Sequence, residues 1–206
     1  PPKQRQDYWL ELDPKQRTKY EQVERNVQAE ISALGDRVTK QHIFAKIQLL
    51  KQICNFAPGK LSSPKLELLL EQVEDVLGSG NKVIIFSQYV EEGVNKLEEA
   101  LRPYGTAKIV GGQTDATRSR EIERFKHSAD VPILIASIKS GGEGLNLTEA
   151  SYVVHFDHWW NPAVMWQAED RVHRRGQTRG VNVYSYWMSG TIDERIFNIL
   201  EQNGLL

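Results

Sequence analysis

The sequence predicts an α/β fold: a parallel sheet with helices on both faces, plus an N-terminal helical appendage. Three observations predict it. After residue 81, short β-branched runs alternate with amphipathic stretches, as strand–helix–strand crossover units do. Before residue 55, apolar residues recur at helical spacing. At 206 residues, the chain suffices for one good core and a small addition, rather than two full domains.

Taken in order, Pro14 to about Leu34 and Thr39 to about Cys54 read as helices divided by Gly35-Asp36, with Ile43, Ile47, Leu50, Ile53 and Cys54 spaced for one apolar face. The turn formers of 55–63 mark a boundary. It divides residues 1–63, a helical linker or appendage, from a lobe at 64–206. Ser63-Pro64 offers an N-cap and a first-turn proline for a helix to about Leu77. Strands follow near Lys82–Ser87, Ala107–Val110, Ile133–Ala136, Tyr152–Phe156 and Val181–Tyr186, with helices near Tyr89–Arg102, Thr117–Lys126, Pro162–Arg174 and Ile192–Gln202. In open sheets of this kind, ligands sit at the carboxyl ends of the strands.

Composition narrows the function classes. Hydrophobic residues at 40% and charged residues at 26% exclude a disordered or fibrous class. The longest apolar runs, such as Val83–Phe86, are too short to cross a bilayer, so no membrane partner is expected. The single cysteine, Cys54, has no partner for an internal disulfide and fits a small core side chain. A net charge of −1 gives no overall basic field, so any polyanion site must be local. Arg171, Arg174, Arg175 and Arg179 form such a local excess, diluted by Glu169 and Asp170. By itself that pattern fits a solvated helix face as well as an anion site.

Ile138–Leu147, which contains Gly141-Gly142-Glu143-Gly144, directly follows the strand at 132–137. Glycines there either allow backbone N–H groups to approach phosphate oxygens or serve a tight turn. The sequence contains no Gly-Lys-Ser/Thr phosphate loop, so the chain lacks a nucleotide cradle of its own. Arg171 and Arg174, three apart on the expected helix, share a face with Gln167, and two planar guanidinium forks suit a polyphosphate. His155 and His158 lack the further ligands of a tetrahedral metal site, and no metal is assigned. Trp159-Trp160 fits packing against the sheet, while an exposed Trp160 offers a stacking surface for nucleic acid.

In order along the chain, Lys82–Tyr89, Gly111–Thr114, Ser137–Leu147, Trp160-Asn161-Pro162 and Gln167–Gln177 closely resemble motifs of the C-terminal lobe of Swi/Snf-type ATPases, a branch of helicase superfamily two. The resemblance covers about Pro64 to Glu201, and Leu50–Asn55 is similar to that family's linker helix. It departs at Phe56-Ala57-Pro58, where His-Pro is common after Cys-Asn, and at Gly111, where an acidic residue is often found.

The resemblance implies a RecA-like second lobe of a double-stranded-DNA translocase, closing with a first lobe of the same polypeptide around ATP and Mg²⁺ bound mainly by that first lobe. Arg171 and Arg174 would be arginine fingers, with Gln167, Gly144 and Asn146 bordering the nucleotide. Ser87, Gln88, Gly112, Thr114, Ser137 and Lys139 would contact the DNA backbone, and Trp160 its groove. Proteins bound to the DNA are further expected partners. The implied location is intracellular: cytoplasm or nucleoid for a prokaryotic member, which the short 56–64 stretch favours, and nucleus for a eukaryotic one. Arg171, Arg174 and Gly144 are expected to converge at the carboxyl ends of the strands beside Lys139 and Thr114. Two competing readings are a degenerate lobe that only holds DNA or protein, and an unrelated α/β phosphate enzyme; the latter would need a catalytic constellation that the sequence does not contain.

Overall fold

The computed structural model describes residues 1–137 and 145–206. Its described strands are β1 (Lys3–Leu10), β2 (Val83–Ser87), β3 (Thr106–Ile109), β4 (Ile133–Ser137), β5 (Tyr152–His155) and β6 (Val181–Met188). They form one sheet in the order β1-β6-β5-β2-β4-β3, with every neighbouring pair parallel. The described helices are α1 (Pro14–Leu34), α2 (Lys40–Asn55), α3 (Pro64–Gly78), α4 (Asn95–Leu101), α5 (Asp115–His127), α6 (Pro162–Asp170) and α7 (Ile192–Gln202).

The central strands β2 and β4 are buried along their whole length, which is why they read as unbroken apolar runs and not as alternating ones. Successive side chains still point to opposite faces. Ile84, Phe86, Leu134, Ala136 and Val153 pack with Phe125 of α5 and Met165 and Ala168 of α6. Val83, Ile85, Ile133, Ile135 and Val154 pack with Leu66, Leu69 and Val73 of α3 and Leu97 and Leu101 of α4. The expected helices on both faces are therefore present.

A strand at Lys3–Leu10 was not expected from the sequence, yet it pairs with β6 from Lys3↔Val181 to Leu10↔Met188. An edge strand has one open side, so it tolerates the polar, charged run KQRQD that a central strand would not. The helices α1 and α2 form where expected. They join α7 and the end of β6 in a third core containing Tyr20, Val23, Leu50, Ile53, Cys54, Trp187 and Ile196. Gln16, fully buried, donates from Nε2 to the carbonyls of Ile53 and Cys54, satisfying acceptors at the end of α2.

Two expected helices are shorter than their sequence patterns. The one at 89–102 begins as a wide turn at Val90–Val94, where Glu92 leaves helical geometry and its carbonyl accepts from Asn55 Nδ2 at 3.1 Å. The one at 162–174 stops at Asp170, and the next carbonyl, that of Arg171, accepts from the backbone N–H of Leu147 at 2.9 Å. An outside donor thus takes an acceptor that a continuing helix would have used. Among the described residues, no helix is long and apolar enough to cross a membrane.

Candidate functional site

The carboxyl edge of the sheet gathers Ser87, Gln88, Ser137, the turn before α5, and the segment from Asp157 to Asn161. Gly112 and Thr114 are exposed at the end of β3, with Gly112 at a positive φ of 84°. Thr114 caps α5 by accepting from the Thr117 N–H at 3.1 Å. Gln113 pins this turn, donating to the Lys108 carbonyl at 2.9 Å and accepting from the Val110 N–H at 3.1 Å.

Ser87 is fully buried, and its hydroxyl donates to Asp157 Oδ2, which leaves its backbone as the part at the carboxyl edge. Gln88 is half-buried, donating from its backbone N–H to Asp157 Oδ1 at 2.8 Å and accepting at Oε1 from Lys51 Nζ at 3.1 Å. Ser137 is buried at 6% exposure. Trp160 is half-buried and packs against the α1–α2–α7 core, which leaves part of the ring exposed.

Beneath this edge lies a polar network that sequence patterns alone did not mark. Asp157, nearly fully buried, also accepts from Asn55 Nδ2 at 2.9 Å. Lys65 Nζ donates to Asn55 Oδ1 at 2.9 Å and to the Phe156 carbonyl at 2.7 Å, and it lies 3.8 Å from Asp193 Oδ2. Lys51 Nζ donates to the His158 carbonyl as well as to Gln88. Burial lowers the pKa of Lys51, against the opposing charge of Asp157. Burial likewise raises that of Asp193, with Lys65 opposing. The one available sequence signal was the placement of Lys51 and Asn55 next to the apolar face of α2.

The arginines lie in the turn that follows α6. From Asn161 at the carboxyl edge, α6 runs back over the sheet, and its nine residues span roughly 13 Å at 1.5 Å per residue. The following turn therefore sits toward the amino ends of the strands. There Gln177, buried, donates to the carbonyls of Ala150 at 2.8 Å and Val172 at 3.0 Å, and Ser151 in turn donates to the Lys82 carbonyl at the start of β2. Arg174, exposed, donates from Nη1 to the Leu145 carbonyl at 2.9 Å. Asn146 is exposed beside it, and its Oδ1 accepts from the Thr148 N–H at 3.3 Å. Arg171 is half-buried, and its Nη1 has no hydrogen-bond partner among the described residues. Burial, followed by the charge of Arg118, lowers its pKa. Gln167 is exposed on the last turns of α6, while Gly144 and Lys139 lie outside the described residues.

The turn thus brings together Arg171, Arg174 and Asn146, and Arg171 feels the charge of Arg118, in the first turn of the helix that Thr114 caps. Neither Arg171 nor Arg174 forms an ion pair among the described residues. The two histidines considered for a metal are committed otherwise. His155 Nε2 donates to Glu169 Oε2 at 2.8 Å, and His158 Nε2 donates to the Tyr186 carbonyl at 3.0 Å while its ring stacks 3.5 Å from that of Trp187. Burial holds the pKa of His158 well below the ordinary histidine range. Cys54 is fully buried, and burial pushes its thiol pKa up, as a core side chain requires.

A single all-parallel six-stranded sheet, covered on both faces, with an arginine turn beside the connection that follows β4, defines a RecA-like lobe. The chain belongs to the helicase conserved C-terminal domain family, whose profile matches residues 64–176. It is similar to the C-terminal domain of the Sulfolobus solfataricus SWI2/SNF2 ATPase at a TM-score of 0.79 and 28% identity, covering 99% of this chain and 87% of that one. The ATPase core of that organism, solved in complex with double-stranded DNA, aligns at a TM-score of 0.81 and 32% identity, covering 98% of this chain and 44% of that one. Among curated relatives, Bacillus subtilis YwqA, provisionally named an ATP-dependent helicase/translocase, is 34% identical over 218 residues. The match takes in 100% of this chain but 24% of YwqA, so the chain spans about a quarter of that relative's length. The resemblance seen in the motifs, to the C-terminal lobe of Swi/Snf-type ATPases, holds.

Proposed function

We propose that the chain is the second motor lobe of an ATP-dependent double-stranded-DNA translocase, with Arg171 and Arg174 acting on ATP and Mg²⁺ held mainly by a first lobe. The observation that carries this reading is the Arg171 guanidinium, whose buried Nη1 lacks a partner among the described residues. A buried charged donor without an acceptor is costly, and a phosphate oxygen would satisfy it. The sequence contains no phosphate loop, so the nucleotide must be presented by another unit.

In phosphoryl transfer, a positioned arginine neutralises charge that develops on the γ-phosphate oxygens, and metal ions bridge the phosphates. Arg174, on the exposed side of the turn, meets ATP as the lobes close, while Arg171 approaches from within, with Asn146 and Gln167 at the border. Gly144 and Lys139 keep their proposed places at the nucleotide and the DNA. The exposed Gly112 and Thr114, the half-buried Gln88 and Trp160, and the backbone at Ser87 and Ser137 make the grip on duplex DNA. Proteins on that DNA are the obstacles such a motor meets, and the work belongs inside the cell.

The test compares ATP hydrolysis by this chain with that of a protein carrying a phosphate-loop lobe ahead of it, with and without duplex DNA. Hydrolysis is expected only from the two-lobed protein, and DNA should stimulate it. Robust DNA-stimulated hydrolysis by the chain alone would sink the reading.

A further inference from the structure

Glu169 sits two residues before Arg171 and is fully buried. Its carboxylate accepts from Lys3 Nζ at 3.2 Å, from Arg5 Nη1 at 3.1 Å and again from Arg5 Nη2, and from His155 Nε2 at 2.8 Å. Two of these partners come from β1, which lies more than 160 residues away in sequence. A second contact from the same segment falls on the other side of Arg171: His173 Nε2 donates to the Pro1 carbonyl at 2.9 Å. The Val181 N–H closes the arrangement by donating to the Pro2 carbonyl at 2.9 Å.

Residues 1–5 therefore bracket the arginine turn, one contact before Arg171 and one after it. A buried carboxylate held by several charged donors is costly to dislodge, because movement of any partner exposes an uncompensated charge. The rest of the turn is held by neutral bonds: the N–H groups of Val172 and His173 donate to the Glu169 carbonyl, that of Leu147 to the Arg171 carbonyl, and the Gln177 side chain to the carbonyls of Thr148, Ala150 and Val172. Arg171 thus lies between the 145–147 segment, bonded to its carbonyl, and Glu169, the charged anchor that β1 holds.

We propose that β1 is a positioning strap for the arginine turn, with Glu169 as the positioning residue through which Lys3 and Arg5 fix Arg171 and Arg174. This rests on the proposed role of the two arginines in ATP hydrolysis. Glu169 itself is enclosed, so it touches no nucleotide and acts through its neighbours. The edge strand then has a use beyond completing the sheet: a displacement of β1 along β6 would loosen the arginine turn without disturbing the central strands.

Two readouts separate positioning from general stability. In the chain, Lys3→Ala/Arg5→Ala should speed amide hydrogen exchange at residues 170–177 by about tenfold while β2 and β4 are unaffected, because only the local opening is made easier. In the two-lobed protein, the same double variant should lower kcat by about tenfold, since small misplacement of a catalytic group is costly, and leave DNA affinity unchanged. Arg5→Lys, which keeps a charge at that position, should recover part of the loss. Unchanged exchange at 170–177, or faster exchange spread evenly over the sheet, overturns the strap. Changed exchange with unchanged kcat, in a protein whose turnover still depends on Arg174, overturns it as well. If Arg174→Ala has no effect on turnover, the finger role falls and the exchange result alone decides the strap. Should the double variant fail to fold, Arg5→Gln is read by the same two measurements.

Discussion

The backbone N–H of Leu147 donates to the carbonyl of Arg171 at 2.9 Å, and this bond ends α6 and seats the arginine turn on the segment after β4. Because Arg174 Nη1 also reaches the Leu145 carbonyl, the turn and that segment form one unit. Arg174→Ala removes one exposed contact and leaves the backbone bond in place. In a two-lobed protein, it should abolish ATP hydrolysis, with duplex-DNA affinity nearly intact. Turnover at the parent rate would remove Arg174 from the chemistry.

Gly93 lies within the wide turn Val90–Val94 that precedes α4, and a Cβ there would sit 2.2 Å from Ser87 Oγ. The Ser87 hydroxyl cannot swing away without giving up Asp157. Gly93→Ala should therefore destabilise the fold by about 1–3 kcal/mol, the usual range for overpacking a filled site. Urea denaturation measures this directly, and a midpoint equal to that of the parent chain would contradict the packing described.

Lys65→Met keeps the bulk of a fully buried side chain but removes the ammonium that serves Asn55, the Phe156 carbonyl and, at 3.8 Å, Asp193. Asp193 would then be a buried carboxylate with less compensation. A loss of about 3–5 kcal/mol is expected, as for breaking one side of a buried pair. Lys65→Met/Asp193→Asn should restore part of it. A double variant no more stable than the single would show that the charge of Asp193 is not what Lys65 offsets.

The pH dependence has a definite sign. Burial alone would raise the Glu169 carboxyl, but the hydrogen bond and charge of His155 and the charges of Arg5 and Lys3 outweigh it and hold the pKa at about 2, against an ordinary 4.5. The folded pKa is depressed, so the stabilisation is complete above pH 4.5 and is lost as pH falls from there toward 2. The linkage amounts to about 3 kcal/mol at roughly 1.4 kcal/mol per unit. His158, held neutral by burial, adds an earlier loss with the same sign, beginning as pH falls below 6.5. In denaturation midpoints taken against pH, Glu169→Gln should lack the lower limb and retain the upper one. Curves that stay parallel to the parent below pH 4.5 would refute the Glu169 assignment.

Much of the fold is legible in the residues themselves. The apolar runs at 83–86 and 133–136 announce central parallel strands, because strands covered on both faces are apolar at successive positions. Ser63-Pro64 and Asn161-Pro162 mark the starts of α3 and α6, since an N-cap side chain followed by proline suits the first turn of a helix. The arginine turn was likewise visible as a group of residues. Its setting was not: periodicity carried the expected helix through Arg174, whereas the bond from Leu147 ends it earlier.

The sequence by itself determined the class of fold, the order of its central elements and the residue types at the two candidate sites, because these follow from periodicity, caps and motifs within short stretches of chain. Only the tertiary structure decided that Lys3–Leu10 is a strand, that the Ser87 hydroxyl belongs to Asp157, and that Glu169 is tied to Lys3 and Arg5. The physical reason is the same in each case. Arg5 and Glu169, or Ser87 and Asp157, are brought together by the folding of distant segments, and a buried charge or hydroxyl takes its role from the partner it finds there.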